Sequence, residues 1–123
     1  FAAGLSKKWI RGIDEVFDLK GWDFVQNYTI GRNFFTHGLG MNVLARARAL
    51  GLNVFQGHLH SKFSCTCVSV HPEFTFAVQC GCLIDHKAYA FAYGKDGLPS
   101  VMGCVVIEDA LNNPEIIMKP LYD

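Results

Sequence analysis

Residues 33–62, NFFTHGLGMNVLARARALGLNVFQGHLHSK, decide the fold of this chain. The apolar residues Phe34 and Phe35 predict a short strand that ends at His37. Asn42 is a suitable N-cap for a helix that ends at Gly51, and a second buried strand is predicted over 53–56. Two strands joined by a helix of this length favour a parallel pair with a right-handed crossover. The sequence therefore predicts an α/β fold.

Three histidines follow the two predicted strands. Parallel strands end at the same edge of a sheet, so His37 is expected to lie near His58 and His60, and α/β sheets commonly place their sites at this edge. His58 and His60 are two residues apart and would face the same side, roughly 6–7 Å apart along a strand. Such a spacing can address two metal ions about 3.5–4 Å from each other. Gly57 is expected to leave room for the backbone at this crowded turn.

Three motifs in this order are specific enough to suggest a family. His-Gly stands at 37–38, Gly-His-x-His at 57–60, and Gly-Cys-Leu-x-Asp at 81–85. Together they resemble the C-terminal half of the calcineurin-like metallophosphoesterases. The resemblance extends from about Trp22 to about Ile107.

The resemblance implies a fold, a site and an activity. The fold would be the second half of a four-layer α/β/β/α sandwich, with mixed sheets and flanking helices, and residues 1–123 would form a single domain. His37 and His58 would bind one divalent metal ion and His60 a second. The family uses manganese, which we favour here, or iron, zinc or nickel. The implied activity is hydrolysis of a phosphomonoester or phosphodiester, and no residue of this chain is assigned a catalytic role.

Motifs of the family's first half are absent from this sequence. They are Asp-x-His, Gly-Asp-x-x-Asp and Gly-Asn-His-Asp/Glu, which supply the remaining ligands. The chain also begins without methionine. We therefore expect a preceding N-terminal segment or a partner chain to complete the site. The expected substrate is a phosphoester, whether nucleotide, nucleic acid or phosphoprotein.

A second hypothesis is a binding or assembly module without catalytic activity. Such a module would retain half of the phosphoesterase fold and would hold one structural metal ion or none. Its exposed sheet edge would join a partner by strand addition. Metal content and turnover distinguish this module from the enzyme.

Composition limits the partners and the compartment. The eleven basic and eleven acidic residues balance, so no broad positive field is available to hold nucleic acid by its phosphates. Five cysteines, an odd number, in a chain without a signal peptide predict a reducing, cytoplasmic setting. No apolar run reaches the roughly 18–20 residues that a membrane-spanning helix needs.

Four of the cysteines are predicted to lie on one hairpin, with strands over 63–70 and 74–79. Cys65-x-Cys67 and Cys80-x-Cys82 would then be on neighbouring strands. Four thiolates could bind zinc, but zinc sites normally use two-residue gaps in tight turns. Small, buried packing residues are therefore the favoured interpretation of these cysteines.

Other predictions concern the elements around the histidines. Amphipathic spacing predicts a helix from Ser6 to Asp18, and loose alternation predicts a strand over 22–30 that turns at Gly31. Asp85 can cap a helix over 86–93, and strands are predicted over 100–107 and 115–122. Arg46 and Arg48 are expected to face solvent, His71 to lie in an exposed turn, and His86, Tyr89 and Tyr93 either to pack or to contact substrate.

Overall fold

The computed structural model describes residues 13–40, 42–70, 72–83 and 100–121. The helices in these ranges are α1 (Ile13–Val16) and α2 (Val43–Leu50). The strands are β1 (Asn27–Ile30), β2 (Asn33–Thr36), β3 (Asn53–Gln56), β4 (Phe63–Val70), β5 (Glu73–Cys80), β6 (Gly103–Glu108) and β7 (Glu115–Pro120). A mixed sheet has the order β1-β2-β3-β5-β4, and β6 pairs with β7 in a separate two-stranded sheet. The predicted α/β class is confirmed, with more strand than helix in the described residues.

The strand–helix–strand unit forms as its sequence predicts. β2 and β3 are parallel, with a register that runs from Asn33 opposite Asn53 to Thr36 opposite Gln56. The Asn42 side chain accepts a hydrogen bond from the Leu44 N–H at 3.0 Å and caps the first turn of α2. Gly51 ends the helix in the left-handed conformation, with φ 64°, which glycine adopts without steric cost.

The apolar core lies between α2 and one face of the mixed sheet. Ala47 on α2, Val54 on β3 and Ala77 on β5 are fully buried, and Phe34, Val43 and Leu44 pack around them. Alternation along each strand sends the neighbouring residues to the opposite face, where Phe35 stacks on Phe55 with ring centroids 5.0 Å apart. β3 is covered on both faces, which explains why all four of its residues are buried.

Several elements differ in length from the predictions. The first strand begins at Asn27 and not at Trp22, because β1 pairs only as far as β2 extends, where Asn27 lies opposite Thr36. Trp22, Phe24 and Val25 precede the strand and are exposed. The strands predicted over 100–107 and 115–122 occupy Gly103–Glu108 and Glu115–Pro120.

Some predicted elements lie wholly or partly outside the described residues. Of the helix predicted from Ser6 to Asp18, residues 13–18 fall within them: Ile13–Val16 form α1, and Phe17 and Asp18 form a turn. The helix predicted over 86–93, with His86, Tyr89 and Tyr93, lies outside, as does His71. In the part of the chain that is described, no helix combines the length and the hydropathy that crossing a bilayer requires.

Buried asparagines tie the amino ends of the central strands to a loop. The Asn53 amide donates to the Asn33 side-chain oxygen at 2.9 Å and accepts from the Phe76 N–H at 2.9 Å. Asn33 in turn donates to the Ala110 carbonyl at 2.6 Å, in the loop between β6 and β7. Both asparagines are at least 96% buried, so each hydrogen bond replaces one that water would otherwise make.

We predict that Asn53→Ala lowers the free energy of unfolding by about 1–3 kcal/mol, because it leaves the buried Asn33 oxygen and Phe76 N–H without partners. Urea unfolding followed by circular dichroism measures this change. Asn113→Ala is the matched control, since Asn113 is exposed, and it should change the free energy by less than about 0.5 kcal/mol. Equal losses in both variants would contradict a stabilising role for the buried network.

Candidate metal centre

The carboxyl ends of β2 and β3 bring two of the three predicted histidines together. His37 follows Thr36, the last residue of β2, and His58 comes two residues after Gln56, the last residue of β3. A hydrogen bond from the Gly57 N–H to the Thr36 carbonyl, 3.2 Å long, continues the contact between the two strands past their ends. The parallel register is therefore what places the two imidazoles at one edge of the sheet.

The two rings are in direct contact. Nδ1 of His58 lies 3.2 Å from Nε2 of His37, and the rings meet edge to face with centroids 5.1 Å apart. Both side chains are exposed, so an ion or a substrate can reach them. Two histidine nitrogens that bind one tetrahedral zinc ion at the usual Zn–N length would be about 3.4 Å apart. The observed pair is thus spaced for a shared ion as well as for a hydrogen bond.

Backbone conformation at this edge is unusual. His58 has φ 68°, in the left-handed region that residues other than glycine seldom occupy. Strained conformations of this kind concentrate at functional sites, where the surrounding structure holds them in place. Gly40, with φ 72°, lies so close that an added Cβ would be 3.8 Å from the His58 ring. The loop after β2 therefore forms one wall beside His58.

Glycine is required at 38 and not at 57. A Cβ on Gly57 would make only ordinary contacts, 3.6 Å from the His37 carbonyl oxygen and 3.7 Å from its Nδ1. The prediction that Gly57 leaves needed room is therefore wrong. A Cβ on Gly38 would lie 2.6 Å from the Cγ and Cδ atoms of Gln56, and Gly38 also has φ 81°. The crowding comes from a buried glutamine below the loop, which the local sequence does not indicate.

His60 occupies a different setting from the other two histidines. It is half-buried, and its backbone carbonyl accepts a hydrogen bond from the Val101 N–H at 2.8 Å. Within the described ranges, no three or more His, Cys, Asp and Glu side chains form a group that could hold a metal ion. His37 and His58 are thus the pair that the structure joins, and the role of His60 as a ligand stays a prediction.

A groove opens beside His37 on the α2 side of the sheet. Its volume is about 870 Å³, within the range of small-molecule sites, and Phe34, Leu39 and Leu50 contribute apolar walls. Arg46 also lines it and donates a hydrogen bond to the Gln56 side-chain oxygen at 3.1 Å. Arg48 is exposed, as expected. The expectation that Arg46 faces solvent is wrong, because the Arg46 guanidinium is hydrogen-bonded to the buried Gln56 amide and lies against the sheet.

The five cysteines are divided between exposed and half-buried positions. Cys65 and Cys67 are exposed on β4, so their interpretation as buried packing residues is wrong. Cys80 lies opposite Phe63, which offsets it by two residues from Cys65 along the hairpin. Burial raises the pKa of the Cys80 thiol to about 11, and a hydrogen bond from the Gln56 backbone only partly opposes this. Cys80 is therefore protonated at neutral pH in the folded chain.

The raised pKa of the Cys80 thiol leads us to predict a loss of stability in alkaline solution. Its pKa is about 11 in the folded chain against a reference value of 9.0, so the unfolded chain releases this proton first as the pH rises. The free energy of unfolding should therefore fall between about pH 9 and 11 and be independent of this group below pH 9. Urea midpoints for the wild type and Cys80→Ser across this range measure the effect. The wild type should lose more stability than the variant, and parallel curves would refute the assignment.

The chain was also compared with known proteins. Neither models of protein families, nor curated proteins, nor solved structures gave a match. Among the described residues, the contact between His37 and His58 at the carboxyl edge of β2 and β3 is the feature that points most directly to a function.

Proposed function

We propose that this chain carries the histidine ligands of a dinuclear metallophosphoesterase site. The observation that supports this most strongly is the 3.2 Å separation of His37 Nε2 and His58 Nδ1 at the ends of two parallel strands. The motifs at 37–38, 57–60 and 81–85 add the resemblance to calcineurin-like enzymes. The proposed fold is the second half of a four-layer α/β/β/α sandwich. A mixed sheet with α2 packed on one face is compatible with one sheet layer and one helix layer of it.

Each histidine has a defined task in this proposal. His37 and His58 bind one divalent ion through the nitrogens that face each other, and His60 binds a second ion. Imidazole and carboxylate ligands together are compatible with manganese, which we favour, and with iron, zinc and nickel, and they do not select one of these metals. Two such ions supply Lewis acidity toward the phosphoryl oxygens and a more acidic water. The exposure of both rings leaves that side of the site open to a phosphoester.

Two histidines in contact do not make a complete centre, so further ligands are part of the proposal. A preceding segment or a partner chain would contribute the aspartates and the asparagine of the family's first half. The substrate is a phosphoester of a nucleotide, a nucleic acid or a phosphoprotein. The groove beside His37 is large enough for the organic part of a small ester.

A binding or assembly module is the second candidate. Among the described strands, β1 pairs only with β2, so its other edge presents backbone groups to solvent, and Tyr28 on it is 55% exposed. An edge of this kind can accept a further strand from a partner. The absence of a three-residue metal cluster in the described ranges also favours this candidate.

Metal stoichiometry and turnover distinguish the two candidates. When the preceding segment or partner chain that completes the site is present, the enzyme predicts nearly two equivalents of bound metal and hydrolysis of a chromogenic phosphodiester such as bis(p-nitrophenyl) phosphate. The module predicts one equivalent or none, and no hydrolysis even after manganese is added. Elemental analysis after dialysis and a colorimetric assay at several Mn²⁺ concentrations provide both readouts.

We predict that His58→Ala removes one metal equivalent and abolishes any hydrolysis, because it deletes one of the paired ligands. His71→Ala should leave both properties intact, and the reverse result would show that the site is wrongly assigned. A third variant controls for folding: His58→Gly also deletes the ligand but suits φ 68°. In the absence of metal it should unfold at the same urea concentration as the metal-free wild type or a higher one, and it should still fail to bind the metal.

A further inference from the structure

We propose that Gln79 is a positioning residue that holds the peptide bearing His58. Gln79 lies near the end of β5, and its side chain is 98% buried. Its amide nitrogen donates to the Gln56 carbonyl at 3.1 Å and also to the Gly57 carbonyl. These carbonyls belong to the two consecutive peptide groups that precede His58. One buried side chain thus anchors the backbone immediately before a predicted ligand.

Strand pairing on the β5 side ends just before the turn at His58. The pairing of β3 with β5 ends at Gln56 opposite Gln79, so the Gly57 carbonyl lies beyond the paired residues of the described sheet. On the β2 side, the Gly57 N–H bonds to the Thr36 carbonyl. On the β5 side, the Gln79 side chain takes the place of the missing strand. An amide –NH₂ has two N–H donors, which matches the two carbonyls that it meets.

The anchor controls the direction of the His58 ring. The Gly57 carbonyl belongs to the same peptide group as the His58 N–H, and the φ angle of His58 is the rotation about the next bond. His58 holds φ 68°, which most residues avoid, so a free loop would rotate toward the ordinary region. That rotation would carry the ring away from His37. Gln79 opposes it by fixing the peptide plane from which φ is measured.

Gln79 therefore acts on the proposed metal site through His58 and touches neither an ion nor a substrate in this scheme. The inference rests on the proposed function for its metal readout. The effect of Gln79 on the contact between the rings of His37 and His58 can be tested without metal. The positioning role of Gln79 and the phosphoesterase function can therefore fail separately.

The test uses Gln79→Met, which keeps a long unbranched side chain but removes both donors, with Gln79→Leu as a second variant should the first fold poorly. The control is Thr75→Val on the same strand. Thr75 is fully buried, and in the described part of the chain its hydroxyl has no hydrogen-bond partner. This control changes a buried polar group on β5 without touching the anchor.

The first readout is the nuclear Overhauser effect between the ring protons of His37 and His58 in the metal-free protein. Wild type and Thr75→Val should show it, and a folded Gln79 variant should lose it. The second readout is Mn²⁺ and Zn²⁺ affinity by calorimetric titration, which should fall about 10- to 100-fold in the Gln79 variants only. In a His58→Ala background, Gln79→Met should cause no further loss, because the effect passes through His58.

The outcomes separate the two ideas. If a folded Gln79 variant keeps both the ring contact and the wild-type affinity, the positioning role is refuted. If the contact is lost but the wild type binds no metal, the positioning role stands and the phosphoesterase proposal fails. If the Gln79 variant weakens metal binding equally with and without His58, the effect is general destabilisation and the inference is wrong.

Discussion

The parallel pairing of β2 with β3 is the constraint on which the rest of the structure depends. The register from Asn33 opposite Asn53 to Thr36 opposite Gln56 makes both strands end at the same level. Only because of this do His37 and the Gly57-His58 turn emerge side by side. A shift of one residue would reverse the faces of every β3 side chain and would remove Val54 from the core that α2 covers. The contact between the imidazoles is thus a consequence of how the strands are aligned.

Buried amides, and not apolar residues, define where the central strands end. Asn33 and Asn53 close the amino edge and bind the loop that carries Ala110. Gln56 and Gln79 close the carboxyl edge beneath the loops that carry the histidines. A buried amide without hydrogen-bond partners costs free energy. Each of these side chains therefore favours the strand and loop positions in which its hydrogen bonds are made. An apolar core alone would tolerate small slips of strand and loop, whereas this set of hydrogen bonds does not.

Backbone strain and open space are found together at the carboxyl edge. His58 has positive φ although it is not a glycine, and the large groove opens beside His37 and Gly38. At the amino edge, Gly31 and Gly51 have positive φ, which glycine adopts without steric cost. Open α/β sheets commonly bind ligands outside the carboxyl ends of their strands, and this edge carries His37 and His58 in the described chain.

The sequence by itself determined the α/β class, the capped α2 helix, the two parallel strands and the hairpin of β4 with β5, because each depends on local spacing and turn residues. It also indicated that His37 and His58 would approach each other, since parallel strands end together. Only the tertiary structure showed that β1 begins at Asn27, that Arg46 is drawn in by Gln56, that Cys65 and Cys67 face outward, and that Gln79 supports the turn at His58. These features depend on contacts between residues that are far apart in the sequence. The local sequence around one residue does not show which distant residue it will contact or how deeply it will be buried. The position of His60 relative to the other two histidines was likewise decided by the tertiary structure, since it depends on how the chain after β3 contacts the segment at Val101.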